Sequence, residues 1–271
     1  MSTRQSGGKS GKHLVCKVLA LALAAGVAGC AHDRNMTTGS IRPSSEPIGQ
    51  MSSTELNSTL VQLGKSYAAN AKDKAVSLKY ASALQMDGRT DQSLAVMRKT
   101  VIYYPKDRDV LAAYGKALAA DGQLEQALDA IRRAETPEYP DWRLVSAEGA
   151  ILDQLGQTDQ ARDLYRKALD LKPNEPSVLS NLGMSYLLKG DLKTAETYMR
   201  SAVQQPGADS RVRQNLALVV GLQGRFGEAE KIASAELPPD QAAANVAYLR
   251  QMISQQNAWS QLKDGKKKKG G

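Results

Sequence analysis

Residues 176–203 read PSVLSNLGMSYLLKGDLKTAETYMRSAV, two short amphipathic helices that turn back on each other at Gly190-Asp191. Numbered from Pro176, the large residues Leu179, Leu182 and Tyr186 fall at positions 4, 7 and 11, a spacing that puts them on one helix face. Gly183 at position 8 leaves that face open to a close neighbour. On the second helix Ala195, Met199 and Ala202 stand at positions 20, 24 and 27. A pair of helices this short cannot bury its own apolar faces, so neighbours of the same kind are required.

A period of 34 residues supplies them. Position 8 reads Ala81, Gly115, Gly149, Gly183 and Ala217 along the chain, and the turn at position 15 reads Gly88, Gly122, Gly156, Gly190 and Gly224. Position 20, where a large side chain would push the second helix off the first, reads Ser93, Ala127, Ala161, Ala195 and Ala229. Pro105, Pro140, Pro173 and Pro206 follow the second helices, and a residue without an N–H cannot extend a helix. An ordinary helical bundle has no need of a fixed period. These columns resemble the tetratricopeptide repeat (TPR), a helix–turn–helix unit of the same length. The resemblance implies an all-α fold, a right-handed TPR solenoid of antiparallel helix pairs with capping helices.

In that register the repeat region is 74–241, with units at 74–107, 108–141, 142–175, 176–209 and 210–241. Residues 53–73 are expected to form an amino-terminal capping helix, with Leu56, Leu60, Leu63 and Tyr67 on one face. In the last unit Leu237-Pro238-Pro239 end the second helix early. Residues 242–258 are expected to form a carboxyl-terminal cap that turns Ala244, Tyr248, Met252 and Ile253 inward, and the Lys- and Gly-rich residues 259–271 a disordered tail.

The formal charge of +8 raises the question of nucleic acid, and its distribution answers it. Residues 1–30 carry four basic groups and no acid, and residues 242–271 six basic groups and one acid. Residues 74–241 carry 22 basic and 23 acidic groups, so the repeat body is near neutral and offers no groove of concentrated Lys and Arg. No nucleic acid is expected as a partner.

Arg4, Lys9, Lys12 and Lys17 precede the apolar run 18–28, which ends at Gly29-Cys30. A basic start, a short apolar stretch and small residues before a cut site make a secretory signal, too short to span a membrane. Val27-Ala28-Gly29-Cys30 also resembles a bacterial lipobox. That resemblance implies cleavage of a lipoprotein signal peptide, 1–29, and a covalent diacylglycerol and acyl lipid such as palmitate on Cys30. Several chains hold durably where one holds reversibly, each buried methylene adding about 0.8 kcal/mol. In the lipoprotein class it resembles, an Asp after the Cys retains the protein at the inner membrane, so Ala31 at that place implies the outer membrane. Residues 30–52, rich in Ser, Thr, Gly and Pro, read as a flexible tether averaging about 25 Å end to end.

Residues 53–271 contain no His and no Cys, which removes Cys-His and Ser-His nucleophile pairs and the usual zinc ligands. Gly8-Lys9-Ser10 and Gly64-Lys65-Ser66 look like phosphate loops, but Thr3 and Thr59 stand where each would need its first glycine. No enzyme, metal, cofactor or small-molecule substrate is expected. What remains is a surface. In TPR arrays the first helices line the binding face through positions 2, 5, 9, 12 and 13. Here those positions name Arg143, Ser146, Asp153 and Gln154, then Ser177, Ser180, Met184, Leu187 and Leu188, then Arg211, Gln214 and Leu222. Met184, Leu187 and Leu188 form the most apolar part and are read as a docking patch.

The phrases LKYASALQMDGRTDQSLAVMRK, AYGKALAADGQLEQAL, NLGMSYLLKGDLKTAETYMR and RVRQNLALVVGLQGRFGEAEKIASAELPPDQAAANVAYLRQM resemble the TadD family of tight-adherence (Tad/Flp) pilus assembly lipoproteins, over about residues 53–255. The resemblance implies a periplasmic adaptor anchored in the outer membrane by its lipid. Its partners would be proteins of a pilus secretion machine, the secretin or another Tad component. The alternative on the residues alone is a periplasmic scaffold for cell-wall hydrolases or outer-membrane assembly.

Overall fold

The structure, a computed structural model, describes residues 51–269 other than Ser52, with side chains as far as Gln255. The signal segment, Cys30 and the tether up to residue 50 lie outside the described residues. Twelve α-helices and no strand occur among the described residues. In chain order they are α1 (Ser53–Ala69), α2 (Lys74–Met86), α3 (Thr90–Tyr103), α4 (Arg108–Ala120), α5 (Leu124–Ala134) and α6 (Trp142–Gln154). After them come α7 (Thr158–Leu171), α8 (Pro176–Lys189), α9 (Leu192–Val203), α10 (Ser210–Leu222), α11 (Phe226–Ala233) and α12 (Pro239–Lys269). The described residues fall into two compact units that divide between Ala161 and Arg162, so α7 crosses the division at its first turn.

In the first unit each first helix of a pair starts on an aspartate. Asp73, Asp107 and Asp141 cap α2, α4 and α6, accepting the backbone N–H of Val76 at 3.0 Å, Val110 at 3.1 Å and Arg143 at 2.8 Å. Asp107 also accepts from Lys74 Nζ at 2.8 Å, and this bond, ahead of the backbone ones, holds its carboxyl below the usual range. Gly88 and Gly122 then reverse the chain at φ of +75° and +82°, a left-handed conformation that a Cβ would strain. The returning helix packs tightly. A Cβ on Gly115 would stand 2.8 Å from Ile131 Cγ1 and 3.1 Å from Ala127 O, so α4 and α5 meet because that side chain is missing. Ser93, the exception at position 20, is tolerated because its hydroxyl donates to Ala81 O at 2.9 Å. Leu84, Met97, Leu118 and Ile131 are fully buried between the pairs. On the outer side α1 covers α2, with Leu60 buried and Leu56, Leu63 and Tyr67 against the same core, as the sequence predicts. Gly64, Lys65 and Ser66 lie within that helix, where no phosphate loop can form. One end differs: α5 stops at Ala134, well before Pro140, because Pro137 disfavours helical backbone at the residue before it.

The second unit repeats the scheme. A Cβ on Gly183 would lie 2.9 Å from Met199 Cγ and 3.0 Å from Ala195 O. Asp209 caps α10 through Val212 N at 3.0 Å; Glu175, at the matching place before α8, makes no such bond, and Pro176 opens that helix instead. At the carboxyl end the register differs from expectation. Ala242, Val246 and Leu249 are the buried residues of α12, whereas Ala244 and Tyr248 are exposed; Met252 and Ile253 are half-buried. Gly221 sets this rotation, since its missing Cβ would stand 2.5 Å from Leu249 Cδ2. The helix also starts earlier than residue 242 and its backbone runs on to Lys269, past the expected end at 258 and through the expected disordered tail. Beyond Pro239 it meets no further proline, and Gly265 alone costs only about 1 kcal/mol.

Replacing Gly183 by Val is expected to lower unfolding stability by about 1–3 kcal/mol through overpacking against Met199 and the Ala195 carbonyl. Gly190→Ala, at φ +88° with open space around it, is expected to cost about 1 kcal/mol from backbone strain alone. Urea unfolding midpoints of the two variants check both.

Candidate functional site

The first helices of successive pairs carry the candidate binding face, and each unit presents its own part. In the first unit α6 supplies Arg143, Ser146, Asp153 and Gln154. Arg143 is exposed, its guanidinium 4.9 Å from the Trp142 ring and 3.8 Å from Asp141 Oδ1. Gln154 is exposed and Asp153 half-buried, but Ser146 is buried at 6% exposure and belongs to the interior. Lys116 of α4 stands near Arg143. The residue is exposed, yet surrounding atoms strip water from the ammonium and push its pKa down; Asp141 opposes this and Arg143 adds to it.

In the second unit α8 and α10 lie side by side, joined where Asn215 Nδ2 donates to Ser180 Oγ at 3.1 Å. Ser180 is buried by that contact at 3% exposure. Ser177 is half-buried and donates to Glu175 Oε1 at 2.9 Å, while Arg211 and Gln214 are exposed, Gln214 bonding Ser210 Oγ at 2.9 Å. Leu187 overturns part of the expected docking patch: it is buried, with 1% exposure. It stands one helical turn beyond Gly183, on the face that packs against other helices, so it is core. Met184, Leu188 and Leu222 are half-buried and remain on the face, and Leu218, half-buried at the position of Met184 in the next pair, joins them. Leu218 stands at position 9 of its unit, in the same column as Met184.

A second feature joins residues of α9 to others about 30 positions later in the chain. Glu196 of α9 accepts from Arg200 Nε at 2.7 Å, Gln223 Nε2 at 2.8 Å and Arg225. Glu228 closes the group by pairing with Arg200 and, at 3.0 Å, with Arg225. Arg225 first, then Gln223 and Arg200, draw the Glu196 carboxyl down to about 2 against the opposing effect of its burial. This network ties α9 to the start of α11.

Family models describing the TPR repeat and the tetratricopeptide repeat match residues 78–141, 149–190 and 176–205. The chain carries TPR repeats over those residues. The helix pairs there are TPR units, and TPR folds are typically protein-interaction scaffolds that bind protein partners rather than catalysts. No curated protein matches the chain. Among solved structures, a tetratricopeptide repeat protein from Parabacteroides merdae ATCC 43184 aligns with a TM-score of 0.62 at 13% identity, over 72% of this chain and 78% of its own. PilW, described as a widely conserved type IV pilus biogenesis factor, aligns at 0.56 and 14% identity over 89% of this chain and all of its own. A thermophilic TPR protein from Thermus thermophilus aligns at 0.54 and 23% identity over 62% of this chain and 91% of its own. At these identities the likeness is one of fold.

The Glu196 group gives a pH test. Its folded-state value lies below the ordinary 4.5, so the ion pairs stabilise above about pH 4.5 and their contribution fades as pH falls toward 2. Glu196→Gln is expected to cost about 1 kcal/mol at pH 7, discounted for the exposure of its arginine partners, and almost nothing at pH 2. Urea midpoints of both proteins across that range check the convergence.

Proposed function

We propose that this TPR protein is an adaptor of a Tad/Flp pilus secretion machine, held by a lipid on Cys30 at the periplasmic face of the outer membrane and aiding placement or assembly of the secretin. The observation that carries the binding part is the face of α8 and α10, where Met184, Leu188, Leu218 and Leu222 stay half-buried beside the exposed Arg211 and Gln214. Apolar side chains rimmed by polar ones suit the apolar face of a partner helix or an extended segment. The lipobox-like Val27-Ala28-Gly29-Cys30 supports the anchor, and the resemblance of residues 53–255 to the TadD family supports the machine. PilW serves type IV pilus biogenesis with a fold of this kind, which makes such a role compatible with the architecture.

Two substitutions separate the parts of the proposal. Cys30→Ala is expected to abolish incorporation of a palmitate analogue in cells and release the protein from the membrane fraction. Leu188→Glu, at a half-buried position the fold can tolerate, is expected to lower capture of the secretin by about tenfold or more and to reduce surface pili, with the circular dichroism spectrum unchanged. Intact pili after deletion of the whole gene, with cell-wall hydrolases recovered on the protein instead, would replace this reading with that of a cell-wall scaffold.

A further inference from the structure

The last helix begins as a further first helix of a pair and packs as one. On α10 the buried residues Val212, Leu216 and Val219 follow each other at spacings of four and three; Ala242, Val246 and Leu249 repeat that spacing on α12. Within each pair the residue after the middle of that stripe is small and touches the second helix: Gly183 follows Leu182 and lies against Ala195 and Met199. On α12 the matching residue is Ala247, after Val246. No second helix returns to cover it among the described residues, since α12 itself continues to Lys269. The uncovered face borders a cleft of about 420 Å³, lined by Glu230 of α11 and by Ala243, Ala247, Arg250, Gln251 and Ser254 of α12. Arg250 lies over the Phe226 ring at 4.7 Å, and Glu230, one turn further along α11 and exposed, forms no ion pair among the described residues.

We propose that a second copy of this chain covers this face, with α12 packed antiparallel on the partner's α12 about a two-fold axis near Ala247. A two-fold contact must be complementary to itself. Small residues meet that requirement, because Ala243 and Ala247 let two helices approach as glycine and alanine do inside the units. Charge meets it as well. The cleft is lined by one acid and one base, Glu230 and Arg250, and the proposed packing pairs each Arg250 with the partner's Glu230. The face used by the proposed partner, around Met184 and Leu188 of α8, is made by other helices. The dimer therefore stands or falls independently of the pilus reading.

The test is sedimentation equilibrium of the full chain carrying Cys30→Ser, which removes the thiol that would bear the lipid. A dimer is expected. Glu230→Arg and Arg250→Glu, both on exposed side chains, are each expected to weaken it by about tenfold, and the two together to restore it to within about threefold. Ala247→Glu, also exposed, is expected to leave a folded monomer. A monomeric parent at the highest concentration loaded would overturn the proposal and leave the face to a different protein. A dimer indifferent to Ala247→Glu, or one broken by it but not restored by the charge exchange, would overturn the two-fold pairing.

Discussion

Contact between helices through missing side chains is the constraint on which the structure depends. At Gly115 and Gly183 a single added carbon would meet a side chain at under 3 Å and a backbone carbonyl at 3.1 and 3.0 Å, so each second helix sits as near its first as backbone atoms allow. Close approach is what lets modest residues such as Ala127, Ala130, Ala195 and Ala202 reach complete burial. Dispersion contacts over those short distances replace the large aromatic core that a chain with 5% aromatic residues does not have.

Chain reversal follows from the same economy of side chains. The φ values of the turn glycines at 88, 122, 156, 190 and 224 all lie between +75° and +88°, so each pair closes with one residue in a left-handed conformation. Aspartates then restart the chain by satisfying amide groups that the first turn of a helix leaves without partners. Charge therefore acts locally, at helix ends and between neighbouring helices, as in the Glu196 group and in Arg132 Nε to Glu148 Oε1 at 2.8 Å. It does not accumulate into a field across the body, in keeping with 22 basic and 23 acidic groups there.

In the proposed role the scaffold acts through what its first helices leave uncovered. In the second unit that is a narrow apolar strip with polar edges, because Ser180 and Leu187 turn inward and Met184, Leu188, Leu218 and Leu222 do not. In the first unit the matching helix presents Arg143 and Gln154 instead, a polar surface. The two parts differ in chemistry, so each suits a different kind of partner surface.

The sequence by itself determined the period, the helix pairs, the turn glycines and the capping helix α1, since each rests on residues close together in the chain and repeated every 34 positions. It also marks the helix starts, since Asp73, Asp107, Asp141 and Asp209 keep the same period. Only the tertiary structure decided which side of a first helix faces a neighbour at each position. Leu187 looks like surface from its column and is core, while Tyr248 looks like core from its spacing and is surface. Tyr248 faces outward because Leu249 enters the space that Gly221 leaves, and Glu196 likewise meets Arg225 only because the following pair brings it there. Periodicity gives a helix its stripe, but the rotation of that stripe is set by the shape of what it packs against.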